Sequence, residues 1–241
     1  MFPIRDHNPS DRTPYVTNGL IFLNILIFLL TAPWAGGAEN LFYEGALYSG
    51  AVTSGHLYYG LLTHMFLHAG IMHLGGNMLF LWIFGDNLED QMGHVGFLAF
   101  YLACGLGAAG AQIYADPNST IPMVGASGAI AGVMGGYLLL FPLAKVDIVA
   151  IIVIIIKRFT LSAWIVLIAW FGLQLFSGYA SEAGGGGVAY WAHAGGFVVG
   201  VVLTLPLFLR LGGTQFWTRT HGHPPYAPVD YHLSRVPQVR R

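Results

Sequence analysis

Long apolar runs separated by short polar segments make up most of this chain. Six of the runs are long enough for an α-helix to cross a hydrocarbon core about 30 Å thick. A further run, residues 146–156, is shorter and rich in Ile and Val, which favours an interfacial or partly inserted segment over a seventh span. The pattern therefore predicts an all-α polytopic membrane protein with spans at 17–32, 71–91, 95–114, 123–143, 160–178 and 189–210.

Composition supports this class. Hydrophobic residues make up 55% of the chain and charged residues 9%, which is far from the usual composition of a soluble domain. The net charge of −1 gives no sign of nucleic-acid binding. The single cysteine, Cys104, cannot form an intrachain disulfide, and we expect it to pack as a small apolar residue.

The cationic residues predict the orientation. With six spans, every Lys and Arg falls on one side, whereas the opposite loops carry only acids. By the positive-inside rule the cationic side is cytoplasmic, so both termini are expected there. We expect a cytoplasmic segment at 1–16, a membrane domain at 17–210 and a poorly ordered cytoplasmic tail at 211–241. The cations are Arg5, Arg12, Lys145, Lys157, Arg158, Arg210, Arg219, Arg235, Arg240 and Arg241.

Candidate chemistry begins with a serine at the start of the fourth span. Ser127 follows Gly125 and precedes Gly128, and a serine nucleophile needs a partner base. The intramembrane candidate later in the chain is His193, at the start of the sixth span. A histidine inside a span is a functional candidate by default. Both spans run inward from the outer face, so Ser127 and His193 are expected at similar shallow depth.

Small residues spaced by four predict that these two spans pack closely. Such stripes let helix backbones approach in lipid, and facing stripes would bring Ser127 within about 2.6–3.2 Å of His193. Taken alone, a serine in a glycine-rich span also fits simple helix packing. The stripes are Gly128, Gly132 and Gly136 on span four, and Ala192, Gly196 and Gly200 on span six.

The second span offers donors for an oxyanion. His73 and Asn77 are four residues apart and so share one helix face, and the helix start at Ser127 has unpaired N–H groups. Asn77 also fits a role as an interhelical hydrogen-bonding residue. No carboxylate is placed as a third member, so the residues predict a serine–histidine dyad.

In this order and spacing, the motifs resemble the rhomboid intramembrane serine proteases over residues 58–200. The resemblance implies a six-helix bundle with a long first outer loop at about 33–70. It also implies cleavage of membrane-spanning helices near their outer end, with Ser127 as nucleophile, His193 as base and acid, and His73, Asn77 and the Ser127 amide as the oxyanion site. By the same analogy, span five and the loop with Glu182 would admit substrate. The motifs are Thr63-His64-Met65-Phe66-Leu67-His68, His73 with Asn77, Gly125-Ala126-Ser127-Gly128, and Ala192-His193-Ala194-Gly195-Gly196.

Other residues of the motifs are expected to support the site. His64 and His68 would satisfy backbone groups of the outer loop and support His73, although two histidines at this spacing could also bind a metal. No HExxH motif is present and no carboxylate accompanies them, so we predict no metal and no cofactor. The small residues Gly125, Gly128 and Gly196 complete the predicted support.

The chain departs from the family pattern at two positions. Many relatives have a Trp-Arg pair where this chain has Tyr59-Gly60, and many have an aromatic residue, stacked on the catalytic histidine, where this chain has Ala131. Loss of that stacking would loosen His193 unless another aromatic residue, such as Trp191, replaces it. Neither departure removes a reacting atom.

Three functions fit the sequence. The first is a protease of a bacterial plasma membrane, acting on membrane-spanning protein substrates in the lipid bilayer. The second is a rhomboid-like protein without activity that binds membrane helices, but such proteins commonly lack the serine or the histidine. The third is a metal or solute carrier using His64, His68, His73 and His193. A carrier needs a polar path across the bilayer, and the middle of these spans has few ionisable residues.

Overall fold

The computed structural model describes residues 2–31, 39–152, 155–180 and 188–220. Helices predominate, and one coincides with each predicted span. Within these residues, a 3-10 turn, His64–Phe66, and three strands accompany them. The helices are α1 (Tyr15–Thr31), α2 (Glu39–Gly45), α3 (Ser49–Thr53), α4 (Gly60–Thr63), α5 (Ile71–Met92), α6 (His94–Ala115), α7 (Ser127–Leu140), α8 (Ala163–Ala180), α9 (Tyr190–Arg210) and α10 (Thr214–Thr220).

The helices differ in their capacity to cross a membrane. Among the described residues, α6, α8 and α9 are each long and apolar enough by themselves. Helix α5 qualifies together with the helical segment Gly60–Phe66, from which it is bent by 92°. The remaining two, α1 and α7, are apolar but shorter than 18 residues. Three or four helices therefore qualify by length and composition.

Helix α7 lies at the centre of the molecule, and its small residues set how closely its neighbours approach. A Cβ on Gly196 of α9 would lie 2.1 Å from the carbonyl oxygen of Gly128. A Cβ on Gly200 would lie 2.0 Å from the carbonyl oxygen of Gly132. The two backbones are therefore in direct contact, which confirms that the two small-residue stripes face each other.

The short outer helices connect to the entry of α7. Leu47 and Met123 exchange two backbone hydrogen bonds of 3.0 and 2.9 Å, and the Gly125 N–H donates to the His64 carbonyl over 2.9 Å. Residues 32–38 of the predicted first loop, and Glu182 with the loop around it, lie outside the described residues. The described part of the first loop thus holds the chain just before Ser127.

A small antiparallel sheet, absent from the all-α prediction, lies at the end of the bundle that carries the cations. Its order is β1 (Phe2–Asp6), β2 (Lys145–Ile152) and β3 (Ile155–Ser162). Within the run at 146–156, the described residues 146–152 and 155–156 belong to two paired antiparallel strands, as their β-branched composition favours. Buried Asp147 accepts hydrogen bonds from Thr160 and Arg158 and pairs with His7. Burial alone would raise the pKa of Asp147, but these partners hold it below its ordinary value.

Part of the predicted tail is helical. Helix α10 packs on the bundle through Phe216, which is buried, and through the Trp217 indole N–H, which donates to the Leu139 carbonyl over 3.0 Å. The prediction of a poorly ordered tail therefore does not hold for Thr214–Thr220. The two aromatic side chains, Phe216 and Trp217, pack against the bundle, and this packing explains why α10 is ordered. Residues 221–241 lie outside the described residues.

Candidate active site

Ser127 and His193 meet where α7 and α9 begin. Ser127 is the first residue of α7, and His193 lies in the first turn of α9. The close approach of the two helices places Ser127 Oγ 2.7 Å from His193 Nε2. This is the distance expected between a serine nucleophile and its base. The geometry therefore permits proton transfer from the hydroxyl to the imidazole.

His73 faces the same site across Gly125. If Gly125 had a Cβ, that atom would lie 2.8 Å from His73 Nε2 and 3.5 Å from Ser127 Oγ. Gly125 also has a φ of +129°, which L side chains rarely adopt. The Ala69 N–H approaches His73 Nδ1 at 3.4 Å. An acceptor role at Nδ1 places the ring hydrogen on Nε2, so His73 can donate toward the site.

Asn77 lies one turn further along α5. Its side-chain amide donates to the His73 carbonyl over 2.8 Å, and its second amide hydrogen remains for another acceptor. Two cavities, of about 260 and 460 Å³, both reach Ser127, His73 and His193. Asn77 lines the smaller one. Substrate and water therefore have space at the serine.

His64 and His68 lie behind His73, where the sequence predicted support. The His64 Nδ1–H donates to the Gly60 carbonyl over 2.8 Å. The His68 ring packs edge-on against His73, with a centroid distance of 5.1 Å. Neither ring nitrogen of buried His68 has a hydrogen-bond partner among the described residues. Throughout the described residues, no three His, Cys, Asp or Glu side chains lie close enough together to hold a metal ion.

Another aromatic residue does lie beside His193, but it is Trp170 and not Trp191, the example named from the sequence. The Trp170 ring of α8 lies 5.9 Å from the imidazole, tilted by 36°. Trp191 precedes His193 by two residues, which directs it to another helix face, where it packs over Gly178. Ala131 is fully buried in the core. Helix α8 therefore supplies the aromatic contact that α7 lacks.

Gly60 is explained by close backbone packing. A Cβ at this position would lie 2.7 Å from the Ala46 carbonyl oxygen and 3.3 Å from Leu47 Cα. Any side chain at residue 60 would therefore displace the first outer loop. The departure at Gly60 allows a tighter packing of this loop than an arginine would permit.

Gln174 is a site residue that sequence reasoning missed. Its Oε1 lies 2.8 Å from His193 Nδ1, on the side of the ring opposite Ser127. Gln174 and Trp170 are four residues apart on α8 and so share one face. A polar amide within an otherwise apolar span usually faces the bundle interior, and that signal could have identified it. The predicted dyad thus has a third, uncharged neighbour.

Several known proteins are similar to this chain. A family model described as Rhomboid domain matches residues 55–210. The chain is 38% identical to the rhomboid protease GluP of Bacillus subtilis over 127 residues, which is 52% of this chain and 24% of GluP. It is 28% identical to the rhomboid protease AarA of Providencia stuartii over 215 residues, 80% of this chain and 73% of AarA.

Eukaryotic relatives match as well. The chain is 31% identical to mitochondrial Rhomboid protein 1 of Saccharomyces cerevisiae over 146 residues, 57% of this chain and 38% of that protein. Across GluP, this yeast protein and RHOMBOID-like protein 5 of Arabidopsis thaliana, the chain spans 24–50% of the relative's length. The family model nevertheless covers more than half of this chain, including all the site residues named above. The chain belongs to the rhomboid family.

Proposed function

We propose that this protein is an intramembrane serine endopeptidase that cleaves membrane-spanning helices near their extracytoplasmic end. The observation that carries the proposal is the 2.7 Å approach of Ser127 Oγ to His193 Nε2. It is supported by the cavities at the serine and by the protease relatives. The chemistry uses side-chain and backbone groups of this chain and needs no cofactor.

Acyl transfer can be written on these residues. His193 Nε2 takes the Ser127 proton while Oγ bonds to the substrate carbonyl carbon, and His193 then protonates the leaving amine as the peptide bond breaks. Water, deprotonated by His193, hydrolyses the resulting ester and releases Ser127. The developing oxyanion is stabilised by His73, by Asn77 and by the backbone N–H of Ser127, in the first turn of α7.

The length of α7 supports cleavage near one membrane surface. Its 14 residues span about 21 Å, less than a hydrocarbon core of about 30 Å. A short central helix leaves room above its first residue for water and for an unwound substrate. We propose six spans, with both termini cytoplasmic and the protein in a bacterial plasma membrane. The serine then lies below the outer surface.

Two observations favour hydrolysis over the alternatives. An inactive helix-binding protein has no need of a serine within hydrogen-bond distance of a histidine. A metal carrier needs a ligand cluster, and no such group of three is found in the described ranges. The substrates are proposed to be membrane proteins whose outer helix end contains small or helix-breaking residues, because the scissile bond must leave helical geometry.

The test is cleavage of a transmembrane substrate in liposomes by wild type, Ser127→Ala and His193→Ala. Product masses locate the cut, and a fluorophosphonate probe reports separately on the reactivity of Ser127. We expect one cut near the outer end of the substrate helix, with loss of at least a thousandfold in both variants. Folded wild type that neither cleaves several substrates nor reacts with the probe would contradict the proposal.

A further inference from the structure

Helix α8 makes two contacts with the imidazole of His193. Gln174 Oε1 lies 2.8 Å from Nδ1, and the Trp170 ring lies beside the imidazole at 5.9 Å. Ser127, on α7, occupies the opposite nitrogen at 2.7 Å. The imidazole is therefore held between two helices, with a different partner at each ring nitrogen.

The Gln174 contact selects one tautomer of the histidine. A carboxamide oxygen can only accept a hydrogen bond, so Nδ1 must carry the ring hydrogen. In the neutral ring Nε2 then has the free lone pair, and this is the nitrogen that faces Ser127. We propose that Gln174 is a positioning residue that holds His193 in the tautomer and orientation needed to deprotonate Ser127. This inference rests on the proposed protease function.

A neutral amide suits this position. A carboxylate would stabilise the imidazolium more strongly, but an ionised side chain inside a span carries a large desolvation penalty. Gln174 is half-buried and lines the 260 Å³ cavity with Trp170. The amide supplies the acceptor without the charge, so it orients the base at little cost to membrane insertion.

Because Gln174 lies on α8, the orientation of His193 depends on where α8 packs. Only 17% of the residues of α8 are buried, compared with 39% in the 18-residue apolar segments of α6 and of α9. One stacked pair, Phe171 with Phe197 at 4.6 Å, packs α8 against α9 next to the site. Displacement of α8 would therefore separate Gln174 from His193 while Ser127 stays on α7. The base is oriented only while α8 is packed against α9.

Two substitutions distinguish the hydrogen-bond acceptor of Gln174 from the space that its side chain fills. Gln174→Met keeps the length of the side chain but removes the acceptor, and we expect kcat to fall about 10- to 100-fold, less than for loss of a charged third member. Gln174→Glu keeps an acceptor, so its kcat at alkaline pH should stay within about fivefold of wild type. Because a carboxylate stabilises the imidazolium and the base must be neutral, the acid limb of its pH profile should move to higher pH.

Gln112→Met is the matched control. Gln112 lies on α6, and its Oε1 has no hydrogen-bond partner among the described residues, so the same substitution there should leave cleavage within twofold of wild type. If Gln174→Met matches this control in kcat and in its pH profile, the positioning role is wrong. Loss of activity in Gln174→Glu equal to that in Gln174→Met, with no shift of the acid limb, would also overturn it.

A second measurement does not depend on activity. In protein labelled with ¹⁵N-histidine, the His193 ring signals are identified by their absence in His193→Ala. We expect the Nδ1–H tautomer in wild type and a loss of this preference in Gln174→Met. If wild type does not cleave but this pattern is found, the protease proposal fails and the Gln174 contact stands. If wild type cleaves while its His193 carries the hydrogen on Nε2, the Gln174 inference alone fails.

Discussion

At the scale of single residues, the proposed site combines two reacting groups, Ser127 and His193, with half-buried His73 and buried Asn77 as the proposed donors. His73 and Ser127 approach each other across the space left by Gly125, so a side chain at Gly125 would fill the volume that an oxyanion needs. Asn77 is tied to the same helix turn by its bond to the His73 carbonyl. In the proposed mechanism these donors are held in place before substrate binds, which is the condition under which they stabilise a transition state most.

The donors can be tested by truncation. His73→Ala and Asn77→Ala should each lower kcat about 10- to 1000-fold with a smaller change in KM, because an oxyanion donor acts mainly in the transition state. Steady-state cleavage in liposomes gives both constants. Asn24→Ala is the control, because Asn24 also donates to the carbonyl four residues earlier, over 2.7 Å, but lies on α1. Equal turnover in Asn77→Ala and Asn24→Ala would show that Asn77 is not an oxyanion donor and acts in helix packing.

The sequence predicted those site residues whose chemistry is visible in the chain itself. Ser127, His193, His73 and Asn77 are polar groups in apolar spans, and the six-span prediction put them all toward the outer face. Gln174 and Trp170 were missed because their contact with His193 depends on the rotation of α8 about its axis. The amide of Gln174 indicates which face of α8 lies inward, but it does not identify His193 as the partner.

At the scale of secondary-structure elements, hydropathy located the helices well, because a bilayer requires backbone hydrogen bonds to be satisfied within each span. It did not predict the strand Phe2–Asp6, whose partner in the sheet lies more than 130 residues away in the chain. Helix α10 was also missed, since seven residues show too little periodicity to predict burial. Short elements take their structure from tertiary contacts.

The packing of α7 on α9 should depend on the absence of side chains at their contact. Gly200→Ala places a Cβ 2.0 Å from a carbonyl oxygen of α7, and overpacking of this kind costs about 1–3 kcal/mol. We expect the melting temperature in detergent to fall by about 2–12 °C, at about 2–4 °C per kcal/mol. Gly200 is nearly two turns from His193, so the folded fraction should still react with a fluorophosphonate.

Gly110→Ala is the control for this substitution. A Cβ at Gly110 of α6 would have no neighbour within 4 Å, so alanine should leave the melting temperature unchanged or raise it slightly through its higher helix propensity. Equal melting temperatures for Gly200→Ala and Gly110→Ala would show that α7 and α9 are not in the close contact described above.

At the scale of the whole molecule, the N-terminal segment ties together parts of the chain that are far apart in sequence. The Tyr137 hydroxyl of α7 donates to Asp6 over 2.8 Å and accepts from the Asn8 amide over 3.1 Å. The Asn87 amide of α5 donates to the Asn8 carbonyl over 2.9 Å. Asp6 and Asn8 therefore belong to the packed polar core at this end of the bundle, although the sequence marks them simply as part of a polar segment before the first span.

Asp6 makes this core sensitive to pH. Burial, and then the negative charge of Asp86, raise the pKa of Asp6 well above its usual range, although the hydrogen bond from Tyr137 opposes them. A carboxyl group with a raised pKa stabilises the folded state while it is protonated, and that contribution is lost as the pH rises through the folded-state pKa. Asp6→Asn keeps an acceptor for Tyr137 and cannot ionise. It should therefore melt at a higher temperature than wild type above the raised pKa, by about 2–4 °C per kcal/mol recovered.

The difference between the two proteins should shrink as the pH falls toward about 3.9, the unfolded-state value of an aspartate, because Asp6 is then protonated in both states. Melting temperatures measured in detergent from pH 4 to 8 give this difference directly. Titration of groups that do not interact with Asp6, such as Asp147, cancels between wild type and variant, whereas Asp86 contributes to the difference through its charge on Asp6. Exposed Asp11 provides the control, since Asp11→Asn should produce no difference that grows with pH. A gain in Asp6→Asn that is constant with pH, or largest at acid pH, would show that the ionisation of Asp6 does not oppose docking of the N-terminal segment.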